Sequence, residues 1–375
     1  MASISDLGSE ILKIGGLDKN YDIDSVDRMK YVYTNWVLIG TAVFIFAQNY
    51  GKDSVNCWAN NEIKGAWEQY IETYCLIENT YFVPMNESNI PVRERRGDRR
   101  MVYYQWVPFI LVGMGLFLYI PRWFWRNSQK RLKIDLPSIT MNLRKMAAKI
   151  EKIDDGLPLI VMKFQEHFGN RLSMSLLLAK FFSICVILAE LVILNIVLGP
   201  EYTFWGFGVL RDLLRGREWH TSGHFPRVTF CDVQVREMGN VVHNWTLQCV
   251  LKVNMFNEKV FLFLWWWLIV LLFVSIINLF SWIYRAVLRH NNTAFVKQLL
   301  DFSGYSESHT TVDYFVDDVL KRDGCMVLRL IADNATSFEA VEYVKPLWIN
   351  YAKSQELQRR MTLEQQQPGP HQHEE

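Results

Sequence analysis

The sequence predicts an all-α membrane protein with four transmembrane helices, disulfide-stapled extracellular loops and a cytoplasmic helical dome. Two observations predict this class. Four long apolar stretches punctuate the 375 residues, and the polar segments between them hold two pairs of cysteines at equal spacing, Cys57 with Cys75 and Cys231 with Cys249. A soluble protein with four buried helices is disfavoured, because such helices are usually shorter and seldom lack charge over such lengths. The net charge of +1 gives no indication of nucleic-acid binding.

The apolar stretches are long enough to cross a bilayer. Residues 31–51, 101–121 and 260–284 carry no charged side chain, and a helix needs roughly 20 residues to span the hydrocarbon core. A fourth stretch is strongly apolar but carries Lys180 and Glu190. Since a carboxylate inside a membrane is costly and usually faces protein or water, we expect Glu190 to form a hydrogen bond with a neighbouring helix. The predicted spans are 31–51, 101–125, 173–199 and 259–284.

The distribution of charges and cysteines predicts the orientation of the spans. Four spans place both termini on one side, where the segments hold 24 Lys and Arg residues against 13 in the loops on the other side. By the positive-inside rule, the termini and the 126–172 loop lie in the cytoplasm. Four of the six cysteines then fall in the extracellular loops, 52–100 and 200–258, where disulfides persist. Asn86 and Asn244 head sequons in the same loops and are possible glycosylation sites.

The cysteine pairs predict crosslinked loops, because segments of this size bury too little surface to hold a shape without staples. Four cysteines allow three connectivities, and the spacing does not choose among them. A zinc site is the competing interpretation, since His220 and His224 stand four positions apart near Cys231. It is disfavoured because thiols oxidise outside the cell and no second close pair of Cys or His completes a tetrahedral set. We therefore expect no metal and no cofactor.

The cytoplasmic segments are predicted to be largely helical. Residues 1–20 carry apolar side chains at steps of three and four, typical of an amphipathic helix, and the opposite face includes Asp6 and Glu10. Such a helix lies either on a surface or in a pore, and the pattern does not decide. Residues 285–363 show helical patterning, and residues 364–375 are typical of a disordered tail. The sequence contains no phosphate-binding glycine loop, nucleophile elbow or paired-metal motif, so we expect no enzyme activity.

Three strings of residues resemble one known family. The second span opens with "YYQWVPF" at 103–109, the second extracellular loop contains "GHFPRVTFCD" at 223–232, and "NMFNEKVFLFLWWW" follows at 254–267. Together with two cysteines in each extracellular loop, these strings are similar to the innexin family, the gap-junction channel proteins of invertebrates, over most of the chain. Vertebrate pannexins share the same plan. The most specific string consists of Tyr104, Gln105, Trp106, Val107 and Pro108.

The resemblance implies a channel subunit in the plasma membrane at cell–cell junctions. Copies of the chain, alone or mixed with other innexins, are expected to form a ring of eight within the membrane lipid. This ring docks through its extracellular loops with the hemichannel of the adjacent cell, and ions and small metabolites pass by diffusion. The family pairing of cysteines, carried over, joins Cys57 to Cys249 and Cys75 to Cys231. The N-terminal helix is expected in the pore mouth, where Asp6 and Glu10 would favour cations.

The sequence is also compatible with two other functions. One is a nonjunctional, pannexin-like hemichannel, and a glycan on Asn244 would favour it by blocking docking. The other is a tetraspan adhesion or scaffold protein that conducts nothing. The polar face of the N-terminal segment argues for a channel, because an adhesion protein has no use for it.

Overall fold

The structure is a computed structural model that describes residues 24–51, 54–58, 65–83, 91, 96–132, 169–198, 208, 225–236, 242–305, 308–334 and 337–366. The predicted N-terminal helix with Asp6 and Glu10, the sequon at Asn86 and most of the 126–172 loop lie outside these residues.

The described part of the chain is mostly helical. Its helices are α1 (Ser25–Tyr50), α2 (Ala66–Glu78), α3 (Tyr103–Arg131), α4 (Arg171–Leu198), α5 (Lys252–Val287), α6 (Arg289–Phe302), α7 (His309–Phe315), α8 (Lys321–Asn334) and α9 (Ser337–Gln366). Its strands are β1 (Val55–Cys57), β2 (Thr80–Tyr81), β3 (Arg100–Met101), β4 (Val228–Arg236) and β5 (Val242–Leu251). Helix α9 runs three residues into the segment predicted as a disordered tail.

Four helices in the described residues are long and apolar enough to cross a membrane, namely α1, α3, Arg171–Ile196 of α4 and Lys252–Ala286 of α5. Each overlaps one predicted span. Helix α1 begins where the Asp24 side chain accepts a hydrogen bond from the backbone N–H of Asp27, at 2.8 Å, which satisfies a donor that the first turn leaves without a partner. A π-helical turn, Met29–Tyr33, follows at once.

The chain divides into two compact units, and the division falls within each of the four long helices. The first unit comprises residues 1–32, 120–183 and 275–375, and the second comprises residues 33–119 and 184–274. In the first unit, a continuous apolar core contains residues of α6, α7, α8 and α9, of the N-terminal part of α4 and of the C-terminal part of α5. Its largest members include Phe315, Trp348 and Tyr343, and the first two rings meet edge to face at 5.0 Å.

The second unit contains a five-stranded antiparallel sheet that the sequence analysis did not predict. The strand order is β1-β5-β4-β2-β3, so β5 and β4 from the second predicted extracellular loop lie between β1 on one side and β2 and β3 on the other. Strand β4 buries one face, because Thr229, Cys231 and Val233 are buried at every second position, the period of a strand. Strands β4 and β5 pair along their whole length as an antiparallel hairpin, from Val228↔Val250 to Arg236↔Val242.

Candidate functional site

Two disulfides join the predicted extracellular loops. Cys57 is bonded to Cys249 and Cys75 to Cys231, across 192 and 156 positions of sequence. This is the pairing that the resemblance implies. We call the sheet and α2, together with these bridges, the loop module. The sulfurs of Cys57, Cys75 and Cys249 lie within 4.8 Å of one another, but all three are consumed by disulfides and none is left as a zinc ligand. His220 and His224 lie outside the described residues.

The first disulfide reinforces a strand pair. Cys57 faces Cys249 directly in the β1–β5 register, beside Asn56↔Val250. One position on, the backbone N–H of Trp58 donates to the carbonyl of Gln248 at 2.8 Å. This bridge therefore joins two residues that ladder hydrogen bonds already hold together.

The second disulfide fastens helix α2 to strand β4. Helix α2 follows Gly65, whose φ of +64° favours glycine. It buries only a narrow stripe in which Ile71 and Cys75 stand one turn apart, while Trp67, Tyr70 and Ile77 are exposed. A narrow stripe gives a helix little apolar contact area. We therefore infer that the position of α2 depends more on the Cys75–Cys231 bridge than the position of β1 depends on Cys57–Cys249.

The Tyr-Gln-Trp-Val-Pro string closes the other end of α2. The Tyr104 hydroxyl donates to the carbonyl of Leu76 at 3.1 Å, and Gln105 Nε2 donates to the carbonyls of Leu76 and Ile77 at 2.5 and 3.2 Å. Carbonyls in the last turn of a helix have no partner within it. The start of α3 therefore caps the C-terminus of α2. The sequence alone does not reveal this role, because the hydrogen-bonded partners lie 28 or 29 positions apart.

The other residues of the string differ in environment. Val107 and Pro108 are buried, whereas Trp106 is 58% exposed. The last turn of α1 also contacts the start of the string, because Asn49 Nδ2 donates to the carbonyl of Tyr104 at 2.9 Å. Helices α1, α2 and α3 thus meet at Tyr104.

Replacing Gln105 with alanine is expected to loosen α2 specifically. The change removes the side-chain amide that donates to the carbonyls of Leu76 and Ile77. Since the Ile77 bond is exposed and water can replace it, we expect a cost of about 0.5–1.5 kcal/mol, the net contribution of a typical hydrogen bond. Hydrogen–deuterium exchange should become faster in peptides from α2 and stay unchanged in α8. Gln248→Ala is the matched control, since that side chain is exposed in β5. Wild-type exchange of α2 in Gln105→Ala would show that the cap contributes nothing.

A polar network fixes the middle of the loop module. Arg96 Nη1 lies 2.7 Å from each carboxylate oxygen of Asp232, and its guanidinium stands 5.6 Å from the centre of the Tyr81 ring. The Tyr81 and Thr246 hydroxyls donate to Asp232 Oδ1 at 3.2 and 2.8 Å. Burial and the charge of Asp232 raise the pKa of Tyr81 to about 12. Arg96 belongs to the arginine-rich stretch "RERRGDRR" at 93–100, just before the second predicted span, so one cation of that stretch serves this network.

The sequon at Asn244 lies on strand β5 within the loop module. Asn244 is exposed and faces Gln234 across the hairpin, while Thr246, the third residue of the sequon, takes part in the network around Asp232. The second sequon, at Asn86, lies outside the described residues.

The prediction for Glu190 is wrong. Glu190 is fully buried in α4, and neither carboxylate oxygen has a hydrogen-bond partner among the residues that the structure describes. Its buried neighbours along α4 are apolar and include Ile187, Leu191 and Leu194. The described residues offer it no donor, because the buried neighbours along this part of α4 are aliphatic.

Lys180, the other charge in the third span, has a full set of partners. Its Nζ lies 2.7 Å from Asp24, 2.8 Å from Asp27 and 2.9 Å from Asn278 Oδ1. Lys30 Nζ lies 2.7 Å from the second oxygen of Asp27. The two cations balance the two carboxylates, and all four side chains are buried. We call these four residues the buried ion cluster.

Neighbouring side chains complete the cluster. Trp282 Nε1 donates to Asp24 at 2.7 Å, and Asn278 Nδ2 donates to the same oxygen at 2.9 Å. Burial disfavours the charged form of Asp24, but the Lys180 ammonium outweighs burial, so the pKa of this carboxyl is lowered. Because Asp24 also caps α1, the cluster ties the start of the first span to α4 and α5.

Another buried carboxylate, that of Asp323, joins α8 to the start of α4. Asp323 accepts hydrogen bonds from the backbone N–H groups of Gly169, Leu172 and Ser173 at 3.0, 3.2 and 2.8 Å, and from the Ser173 hydroxyl. Its own N–H donates to the carbonyl of Gly169 at 3.1 Å. A helix N-terminus favours an anion, so Asp323 caps α4 from about 150 positions away in sequence.

Comparison with known proteins identifies the family of the chain. The family model of the innexins matches residues 23–351. Innexin-17 of Caenorhabditis elegans is 42% identical over 351 aligned residues, covering 89% of this chain and 96% of that protein. Innexin-16 of the same nematode is 38% identical over 353 residues, covering 93% and 94%, and its Innexin unc-9 is 35% identical over 369, covering 89% and 94%. The chain therefore belongs to the innexin family and is a multi-pass subunit of an oligomeric gap-junction channel.

Proposed function

We propose that eight copies of this chain form a ring in the plasma membrane and that the loop module docks this ring with one in the adjacent cell. The observation that carries the proposal is the pair of long-range disulfides, which unite two loops into one module. A docking surface must keep its shape while it meets its partner, and a crosslinked sheet loses less conformational entropy on binding than free loops do. Ions and small metabolites then pass by diffusion.

The pore mouth is proposed to contain the N-terminal segment, with Asp6 and Glu10 facing the conduit. Support comes from the point where this segment joins the described chain. Asp24 is held by Lys180, Asn278 and Trp282. The point at which the N-terminal segment is attached to the first span is therefore fixed. Carboxylates repeated around a ring attract cations.

Neutralising the two carboxylates tests this assignment. The double variant Asp6→Asn, Glu10→Gln is expected to reduce the preference for cations and to move the reversal potential in asymmetric salt toward that of an unselective pore. The conservative replacements keep the size of both side chains. An unchanged reversal potential, with protein present at the surface, would remove Asp6 and Glu10 from the pore.

Dual voltage clamp of paired cells that both express this chain tests the channel itself. We expect junctional current between the cells, measured together with the membrane current of each cell alone. Membrane current without junctional current would favour a hemichannel, and a glycosidase-sensitive shift in mobility that disappears in Asn244→Gln would give the reason. Neither current, with protein at the surface, would favour the adhesion function or a required second innexin.

A further inference from the structure

A cleft lined by basic side chains lies in the first unit, where α5 ends and α8 begins. Its wider part has a volume of about 360 Å³ and is bordered by Arg289, Lys321, Arg322 and Asn292. A narrow extension, with room for about one water molecule, reaches Arg285 and Arg329 and shares Arg322 and Asn292 with the wider part. Sites for small molecules commonly have volumes of about 300–1,000 Å³. We call the two parts together the basic cleft.

The positive charge of the basic cleft is only partly balanced. Five cationic side chains line it, against the single carboxylate of Asp317, which pairs with Arg289. Asp333 lies 3.4 Å from Arg285, and both side chains are substantially exposed. Neither Lys321 nor Arg322 has an ion-pair partner among the described residues. An anion that enters the cleft therefore meets charges that the described protein does not neutralise.

Arg329 provides an independent sign of a missing partner. Its Nη2 donates to neutral acceptors, the carbonyl of Asn291 at 3.0 Å and Oδ1 of Asn292 at 3.2 Å. Its Nε is buried and has no hydrogen-bond partner in the described residues. Burial, and then the charge of Arg285, lower the pKa of Arg329. A guanidinium with an unused donor and a cationic neighbour is suited to an oxyanion, which it binds through charge-assisted hydrogen bonds.

The backbone at the mouth of the cleft is strained. Lys321 has φ 51° and ψ −164°, a combination that a residue with a side chain seldom adopts. Strain of this kind persists where the surrounding structure enforces it, and it is frequent at ligand sites. The next acidic residue, Asp323, is directed to the N–H groups that begin α4. Asp323 already accepts hydrogen bonds from these N–H groups, so its carboxylate is directed to them and not to the basic side chains of the cleft.

The position of the cleft along the chain indicates the source of the anion. The segment of α5 that is long and apolar enough to span a membrane ends at Ala286, and the corresponding segment of α4 begins at Arg171. Ala286 and Asn170, the residue before α4, both line the wider part. The cleft therefore lies beside the ends of two candidate spans and on the cytoplasmic side in the predicted topology, which brings it near the lipid headgroups. We propose that the basic cleft binds the phosphate group of an anionic lipid, with Lys321 and Arg322 as its direct ligands.

Binding of a short-chain lipid to the purified full-length protein tests the proposal. The probe is dioctanoyl phosphatidylinositol 4,5-bisphosphate, followed by native mass spectrometry in detergent. The double variant Lys321→Gln, Arg322→Gln should bind it roughly 30-fold more weakly, since each basic residue near an anionic surface contributes about fivefold. Lys353→Gln, Arg359→Gln is the control with the same change of charge, because both residues are exposed on α9. It should bind like the wild type.

Inorganic phosphate distinguishes the two sources of the anion. Millimolar phosphate could displace the lipid from the wild type but not from the double variant Lys321→Gln, Arg322→Gln, here called the cleft variant. That result would support a phosphate site filled by a soluble compound and would exclude lipid as its specific ligand. Lipid binding that resists phosphate supports the headgroup. Equal lipid binding by wild type and cleft variant, or none by wild type, would overturn the proposal. Should the double variant fail to fold, Arg322→Gln alone serves, because that side chain is exposed.

Discussion

Replacing Lys180 with methionine is expected to keep most of the protein from reaching the cell surface. Methionine has a similar volume and no charge, so the variant leaves Asp24 and Asp27 buried with Lys30 as their only remaining cation in the cluster. Breaking a buried ion pair by removing one partner costs about 3–5 kcal/mol. A domain is stabilised by only about 5–15 kcal/mol in total, so a loss of this size depletes the folded protein.

A second substitution separates charge balance from packing. Adding Asp24→Asn to Lys180→Met restores neutrality, because Asp27 still pairs with Lys30 at 2.7 Å. We expect this double variant to recover part of the surface protein and of the melting temperature. Surface biotinylation and fluorescence-detected thermal unfolding give the two readouts, with Lys353→Met, an exposed site, as control. If Asp24→Asn brings no recovery, the cluster acts through its hydrogen bonds and shape and not through its charge balance.

Removing the Cys75–Cys231 disulfide is expected to abolish junctional conductance, whereas removing Cys57–Cys249 should only reduce it. The two bridges close loops of similar length, 156 and 192 positions. Their loop-closure free energies therefore differ by only about 0.2 kcal/mol. Loss of a native disulfide typically costs about 2–5 kcal/mol. The difference therefore arises in the folded protein, where β1 keeps its ladder with β5 and α2 keeps little beyond Ile71 and its C-terminal cap.

The comparison uses paired replacements, Cys75→Ser with Cys231→Ser and Cys57→Ser with Cys249→Ser, because a single replacement leaves a thiol that can mispair. Junctional current in dual voltage clamp is divided by the amount of surface protein. Cys185→Ser is the control, since Cys185 is a free, exposed cysteine. A larger loss for the Cys57–Cys249 pair would contradict the view that α2 depends on its bridge more than β1 does.

Lys180 and Glu190, the two charged residues of the third span, have different environments that the sequence does not distinguish. Lys180 and Glu190 looked alike in the sequence, each as one charge in an apolar helix. In the structure Lys180 has three close oxygen partners, and Glu190 has none among the described residues. The difference depends on which side chains of other helices lie opposite. Asp24 and Asn278, for example, are 156 and 98 positions from Lys180.

The sequence by itself determined the class of protein, the approximate positions of the spans and the family. Long apolar stretches require burial in lipid or protein whatever their neighbours are, and the Tyr104–Pro108 string carries the family resemblance within a few positions. Only the tertiary structure decided the sheet that unites the two loops, the cap that Gln105 forms on α2, and the partners of Lys180 and Asp323. Each of these is a pairing of polar groups far apart in sequence, and burial makes such groups find partners without specifying locally which ones.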